Sequence, residues 1–524
     1  MEQRLVQKKQ VVDFFLKKNI LLSSDILENL NEKNTEQIHN LITNKIKSDS
    51  FLFLNKDLND ALQNLPSLNT NWQDLEKSKA LLEKGKDNKI YSQFIKFLYT
   101  QKTKIKEEKI KIIQSYKEDS KKRDIQDFVQ YFNIRYKVIE KILRQRPDLK
   151  NITTINRILH KKDREQISLI GVVADKRMTK NKNLILTLED QTSSIKVLVN
   201  KNKPEIFNEA KSIVLDEILG INGVNGQNIV FANKIFWPEV SLKELKKSQE
   251  EAYAIFLSDL HVGSKNFLPE AFNKFLKWMN QQIGNEKQKE IASKVKYIFI
   301  VGDLVDGCGV YPEQDKELEI KDIYKQYEEC ARLLSQIPSK IPLIICPGNH
   351  DAMRIAEPQP ALYEDFAKPI YDLPNIISVS NPSLVNIHSS ENFSGFDVLL
   401  YHGYSFDYFV ANVDSIRNNG GYNRADLIMK FLLKRRHLAP THTSTLYIPD
   451  TTQDPLAITK TPDFFITGHI HKSIAANYKN ITLISGSCWQ SKTSFQEKVG
   501  HNPEPGRIPI VNLKTREIKI LKFL

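Results

Sequence analysis

Cysteine is scarce. The 524-residue chain holds four (Cys308, Cys330, Cys346 and Cys488), none in C-x-x-C spacing and too few for a disulfide scaffold. Long apolar runs are missing too: no window approaches the roughly eighteen consecutive apolar residues of a membrane span. The opening "MEQRLVQKKQVVDFF" shows no charged n-region, apolar h-region and cleavage pattern of a secretory signal. These absences exclude a disulfide-stapled secreted module and a helical membrane protein, and they set the expectation of a cytoplasmic protein with no membrane partner. Histidine is also sparse, at 11 residues, which makes its placement informative.

An acidic balance is lacking as well. The net charge is +13, and residues 101–150 alone carry 15 Lys and Arg against 8 Asp and Glu. A basic excess favours a polyanionic partner, because cations that neutralise phosphates release counterions.

At this length two to four domains are expected, in a multidomain α+β chain. Residues 1–70 read as a small helical domain, with Ile38, Leu41, Ile42 and Ile46 of "NTEQIHNLITNKI" on one helical face. Residues 71–125 turn charged and poorly patterned and read as a linker. Residues 126–245 begin with a helix, "DFVQYFNIRYKVIEKIL", and continue as period-two runs such as "ISLIGVVADKRM" and "LILTLEDQTSSIKVLVN". Five or six short strands in about 75 residues suit a closed OB-type barrel, which either holds single-stranded nucleic acid or docks against another domain. From 246 to 524 apolar strands alternate with amphipathic helices, as in a layered domain with its site at the strand ends.

Those strand ends carry the chemistry. "FLSDLH" supplies Asp259 and His261, "IVGDLVDG" Asp303, "PGNHD" Asn349 and His350, "YHGYS" His402, and "FFITGHIH" His469 and His471. Five of the 11 histidines thus follow apolar strands, beside Gly or Asp. One such residue is more often a turn or a cap; the ordered set suits two divalent cations held about 3.5–4 Å apart. Asp303 suits a bridging role, since a carboxylate can give one oxygen to each cation. Mixed N and O donors favour Mn²⁺, with Fe²⁺, Zn²⁺ or Mg²⁺ as alternatives.

The ordered motifs D-x-H, G-D-x-x-D, G-N-H-D, H-G and G-H-x-H resemble the calcineurin-like metallophosphoesterases. "GDLVDGCGVYPEQDKELEI", "PGNHDAMRIAEPQPAL", "KRRHLAP" and "SGSCWQSKTSFQ" are further similar to the small subunits of archaeal family D DNA polymerases, over roughly residues 130–524. The resemblance implies a C-terminal β-sandwich flanked by helices. It implies one metal on Asp259, His261, Asp303 and His471, and a second on Asp303, Asn349, His402 and His469. It further implies His350 as the catalytic group that stabilises the transition state or protonates the leaving oxygen. The implied function is a two-metal 3′→5′ proofreading exonuclease on DNA with a single-stranded 3′ end, beside a separate large polymerase subunit. The eukaryotic accessory relatives share the layout without the ligands, so the intact ligand set here argues for activity; the alternatives are a non-catalytic scaffold subunit and a free-standing phosphoesterase.

Arg354, Arg435 and Arg436 are candidate contacts to the DNA backbone, or else solvated cations at a helix end. Asp306 reads as a partner for a ligand histidine or a turn residue, and Tyr311 as a gate or as packing. Trp489 and Gln490 line the site or stack on a terminal base, or Trp489 is simply buried. His437, His442 and His501 are expected not to be ligands.

Overall fold

The computed structural model describes residues 110–117, 122–498 and 500–524, with positions 12, 15, 20–22 and 52–54 ahead of them. Two compact units divide the chain, residues 1–107 and 108–524. In the first, β1 (Ile20–Leu22) and β2 (Leu52–Leu54) pair in parallel. The helix expected over 34–46 lies outside the described residues.

The second unit opens with β3 (Ile110–Ser115). This corrects the reading of 71–125 as a linker throughout. The segment "IKIIQS" has Lys111 in its midst, and Ile112 and Ile113 remain about half exposed. It is a strand because a sheet elsewhere lends it a partner, which local patterning cannot show.

The helix expected from 127 runs as α1 (Ile125–Arg144). Asp124 caps it by accepting from the backbone N–H groups of Gln126 and Asp127, while the Asp127 side chain accepts from the Asp124 N–H. Tyr131 near its start joins the core of the sandwich described below, and Tyr136, Ile139 and Leu143 further along pack on the barrel. One amphipathic helix thus bridges both bodies.

Strands β4 (Gln166–Met178), β5 (Leu184–Glu189), β6 (Ser194–Val199), β7 (Ile218–Gly226) and β8 (Ile229–Phe236) close a barrel in the order β4-β5-β6-β8-β7. Period-two patterning fills it: Leu184, Leu186 and Leu188 face inward with Ile195, Val197 and Val199.

The rest is a sandwich of two six-stranded sheets. The first contains β9 (Tyr253–Leu257), β10 (Val295–Val301), β11 (Leu343–Cys346) and β12 (Ile376–Ser378), all parallel. The second contains β13 (Ser383–Ile387), β14 (Phe396–Leu400), β15 (Phe464–Thr467), β16 (Ile474–Tyr478) and β17 (Ile481–Ser485), with β3 antiparallel on the free edge of β13. Strands β18 (Arg507–Asn512) and β19 (Ile518–Lys522) complete the first sheet in the order β12-β11-β10-β9-β18-β19. The inner faces meet in one apolar core containing Phe256, Phe299, Val398, Phe464 and Ile466. Helices cover both outer faces: α2 (Pro269–Met279), α3 (Ile323–Leu334) and α4 (Glu364–Tyr371) on the first sheet, α5 (Phe406–Asn412) and α6 (Ala425–Arg435) on the second. Among the described residues no helix is long and apolar enough to cross a membrane.

Barrel and sandwich are joined by polar contacts as well as by α1. Arg435 at the end of α6 is buried, ion-pairs with buried Glu217 and donates to the Ser212 carbonyl at 2.7 Å. Lys434 lies over the Trp237 ring at 3.8 Å.

Candidate metal centre

Six strands present their carboxyl ends on one side: β9, β10 and β11 from the first sheet, β14, β15 and β17 from the second. In open parallel sheets the chain leaves each strand there, and loop residues converge on the crevice. The sequence candidates arrive in this way. Asp259 and His261 follow β9, Asp303 follows β10, Asn349 and His350 follow β11, His402 follows β14, and His469 and His471 follow β15.

The backbone bends sharply to deliver them. Asp259, His261, Asp303, His469 and His471 all have φ between 52° and 70°, a left-handed conformation that side chains other than glycine adopt rarely. Such conformations persist only where the surroundings over-determine them, and they gather at functional sites. Gly348 matters for a different reason: a Cβ there would overlap the Asp303 carboxylate.

Hydrogen bonding fixes the imidazoles from outside. His261 Nδ1 lies 3.0 Å from Asp306 Oδ1, His402 Nδ1 lies 2.9 Å from the Val301 carbonyl, and His469 Nε2 lies 2.9 Å from Asp407 Oδ2. Each of these partners can only accept, so each outer nitrogen carries the proton and the inner nitrogen presents its lone pair. Around Asn349 the inner atoms then meet other acceptors. His402 Nε2 is 3.0 Å from Asn349 Oδ1 and 3.3 Å from Asp303 Oδ2, and His469 Nδ1 is 3.0 Å from the same Asn349 oxygen. On the other side His471 Nδ1 accepts from Gln496 Nε2, so His471 Nε2 carries a proton and faces His261 Nε2 at 3.1 Å and Asp259 Oδ1 at 3.4 Å, while His261 Nε2 is 3.7 Å from Asp303 Oδ2.

The predicted ligands therefore fall into two groups that share Asp303. Asp259, His261 and His471 converge in one, and Asn349, His402 and His469 in the other. Lone pairs aimed at lone pairs repel unless a positive charge lies between them. Where no cation is bound, a second proton on His402 would take the place of its inner lone pair: burial alone would push the imidazole down, but Asp303 and Asp259 raise it to about 10. Burial would likewise raise Asp303, yet His402 and His350 hold it well below the usual carboxylate range. A divalent cation in each group would take these donors as ligands, with His471 giving up its Nε2 proton, and the N/O donor set fits Mn²⁺, Fe²⁺ or Zn²⁺.

His350 sits beside these groups. Its N–H is anchored on Asp303 Oδ1 at 2.8 Å, its Nδ1 lies 2.8 Å from the Asp306 carbonyl, and its ring is edge-on to His261 at 4.6 Å. With Nδ1–H on that carbonyl, Nε2 is left for a further partner. Burial lowers the imidazole below its usual range, against the pull of Asp303.

Several supporting residues have no counterpart in the sequence reading. Asp407 holds His469, Gln496 lies 2.9 Å from His471 Nδ1, and Asp351 accepts from the N–H groups of Gly348 and Leu304 at 2.9 and 3.1 Å. Asp351, adjacent to His350 in "GNHD", and Gln496, the last residue of "SGSCWQSKTSFQ", stood within recognised stretches, whereas Asp407 did not. Asp306 takes the place expected of it against His261, and Gln490 donates to it at 2.9 Å. Trp489 is buried against Phe272 and Phe275.

Two of the three cationic candidates for DNA contact, Arg435 and Arg436, are corrected. Arg435 is committed to Glu217 and Ser212, and buried Arg436 donates to the carbonyls of Ile458 and Thr459 and to Thr461 Oγ1. The barrel and the loop after α6 cover what "KRRH" alone presents as a solvated helix end. Arg354 is half-buried, donates to the Pro358 carbonyl at 2.6 Å and lies over the Tyr116 ring.

The family of B-type subunits of DNA polymerases alpha and epsilon matches residues 254–475, most of the sandwich. Over 400 residues the chain is 40% identical to the DNA polymerase II small subunit of Methanothermobacter thermautotrophicus, covering 76% of this chain and 80% of that one. It is 39% identical to the Pyrococcus furiosus protein of that name over 403 residues (76% and 64%), and 39% identical to the Methanocaldococcus jannaschii one over 391 (74% and 64%). The match thus spans just under two thirds of the latter two. The chain belongs to the family of DNA polymerase II small subunits. The calcineurin-like resemblance of its motifs is consistent with that family.

Proposed function

We propose that this chain is the small subunit of a heteromeric archaeal replicative polymerase, and that its strand-end site is a two-metal 3′→5′ exonuclease acting on DNA. The observation that supports it is the convergence of imidazole, carboxylate and amide donors in two groups that share Asp303, with the outer nitrogens of His261, His402 and His469 held by acceptors. When bound, two cations, in this reading Mn²⁺, supply the charge that activates water and neutralises the phosphodiester. The chain's own residues do the rest. Asp306, Val301 and Asp407 hold the ligand imidazoles in one tautomer. His350, with Nδ1–H fixed on the Asp306 carbonyl, leaves Nε2 to take up a proton beside the anionic phosphodiester, and in that protonated form it hydrogen-bonds a phosphate oxygen or gives the proton to the leaving oxygen. The barrel strand order is read as an OB type, and a large catalytic subunit is the implied partner in the cytoplasm.

The test uses the assembled complex with Mn²⁺ and 5′-labelled single-stranded DNA, beside His350→Ala and Asp303→Ala. A ladder that shortens from the 3′ end and is lost in both variants is the expected result. A silent complex that demonstrably binds metal would overturn the nuclease and leave a scaffold.

A further inference from the structure

The mouth of the site carries an aromatic pair that the metal chemistry does not use. Tyr311, in the loop after β10, and Phe495, in α7 (Ser494–Lys498) after β17, stack with centroids 5.2 Å apart and planes 24° from parallel. The Tyr311 ring is 6.2 Å from that of His350. Phe495 is 44% exposed, so one face rests on Tyr311 and much of the ring is left to solvent. A phenylalanine kept for core packing would be covered.

The pair is also held in place. Glu317 accepts from the Tyr311 hydroxyl at 2.9 Å with one oxygen and from the Ser494 N–H and hydroxyl with the other, so a single carboxylate clamps both loops. The next residue in α7, Gln496, contacts ligand His471. The aromatic faces are therefore fixed relative to the metal groups. Exposed Lys492 and Lys498 flank Phe495 in the sequence, a setting that suits a polyanion.

A flat, partly exposed aromatic face beside a phosphoester site matches the faces on which single-stranded nucleic acids stack their bases. A base inside a duplex has both faces covered by its neighbours, and turning it out of the stack costs least when it is unpaired or mismatched. Resting on the nuclease reading above, we propose that Tyr311 and Phe495 are positioning residues that stack the unpaired terminal base of the DNA strand. They thereby make the site prefer frayed or mismatched ends.

The experiment uses the full chain with its large subunit and two probes. The first is a pair of 5′-labelled single-stranded oligonucleotides, one ending in adenine and one in an abasic residue, with Mn²⁺. The wild type is expected to prefer the adenine end by about tenfold or more in kcat/KM. Phe495→Ala should lose that preference and Phe495→Trp keep it; a preference unchanged in Phe495→Ala overturns the proposal. The second probe is an oligonucleotide with terminal 2-aminopurine, bound in EDTA, where stacking quenches fluorescence whether or not cleavage occurs. Quenching in the wild type and Phe495→Trp, absent in Phe495→Ala, supports the stacking face even if no cleavage is seen, in which case the nuclease reading alone fails. Lack of binding or of quenching in the wild type overturns the stacking face, whatever the cleavage assay shows.

Discussion

Among the described residues two buried clusters mix imidazole with carboxylate. At the strand ends, inner nitrogens and oxygens face one another as acceptors around Asp303. In the second, Asp454 accepts from Arg135 Nε at 2.7 Å, His437 Nε2 at 2.8 Å and the Tyr131 hydroxyl at 2.8 Å. His437 Nδ1 in turn accepts from the Ala439 N–H at 3.0 Å. Each of these contacts pairs a donor with an acceptor, which ties α1 to the sandwich. The first cluster is open toward a cation and the second is closed on itself. Proximity of His and Asp does not separate them; the direction of the lone pairs does.

The largest expected effect comes from breaking the closed cluster. Asp454→Ala leaves Arg135 buried without its carboxylate and should cost about 3–5 kcal/mol in urea unfolding, with Mn²⁺ binding unchanged. A cost under about 1 kcal/mol would erase the distinction drawn here.

Acid should act on the same cluster. Burial, together with the neighbouring Arg135, lowers His437 to about 4. The unfolded chain takes up this proton as pH falls through about 6.5, whereas the folded one resists until near 4. Stability from this group is therefore complete above 6.5 and drains away across that window, by up to about 3 kcal/mol. His437→Gln, which cannot titrate, should lose less stability between pH 7 and 4 than the wild type in parallel unfolding curves.

The open cluster should respond to metal instead. Mn²⁺ at 100 times its Kd should stabilise the wild type by about 2.7 kcal/mol, reversed by chelation. Asp303→Asn should remove the gain; a variant that keeps it would show the metal sits elsewhere. The smallest effect is expected at a supporting residue. Asp407→Asn should weaken metal affinity about tenfold to a hundredfold, read by titration calorimetry, because His469 loses its charged orienting partner.

The strand-end residues were legible in the sequence because each follows an apolar run and carries its own glycine or aspartate. Asp407 was not, since "HGYSFDYF" gives no sign that its acid folds back on a histidine 62 positions away. Arg435 and Arg436 misled for a related reason: their burial depends on the barrel and on the 458–461 loop, and no window around "KRRH" contains either. The helix α1 was readable from its own periodicity, while β3 was not, because a half-exposed edge strand takes its conformation from the strand beside it.

That edge strand has a practical corollary for dissecting the chain. Because β3 precedes the barrel in sequence yet seals β13, a fragment begun near residue 246 would start with a raw seam along its second sheet. Unpaired edges recruit other strands, so such a fragment should be prone to self-association. Supplying residues 110–117 as a separate peptide, or beginning the fragment at 108, closes the seam.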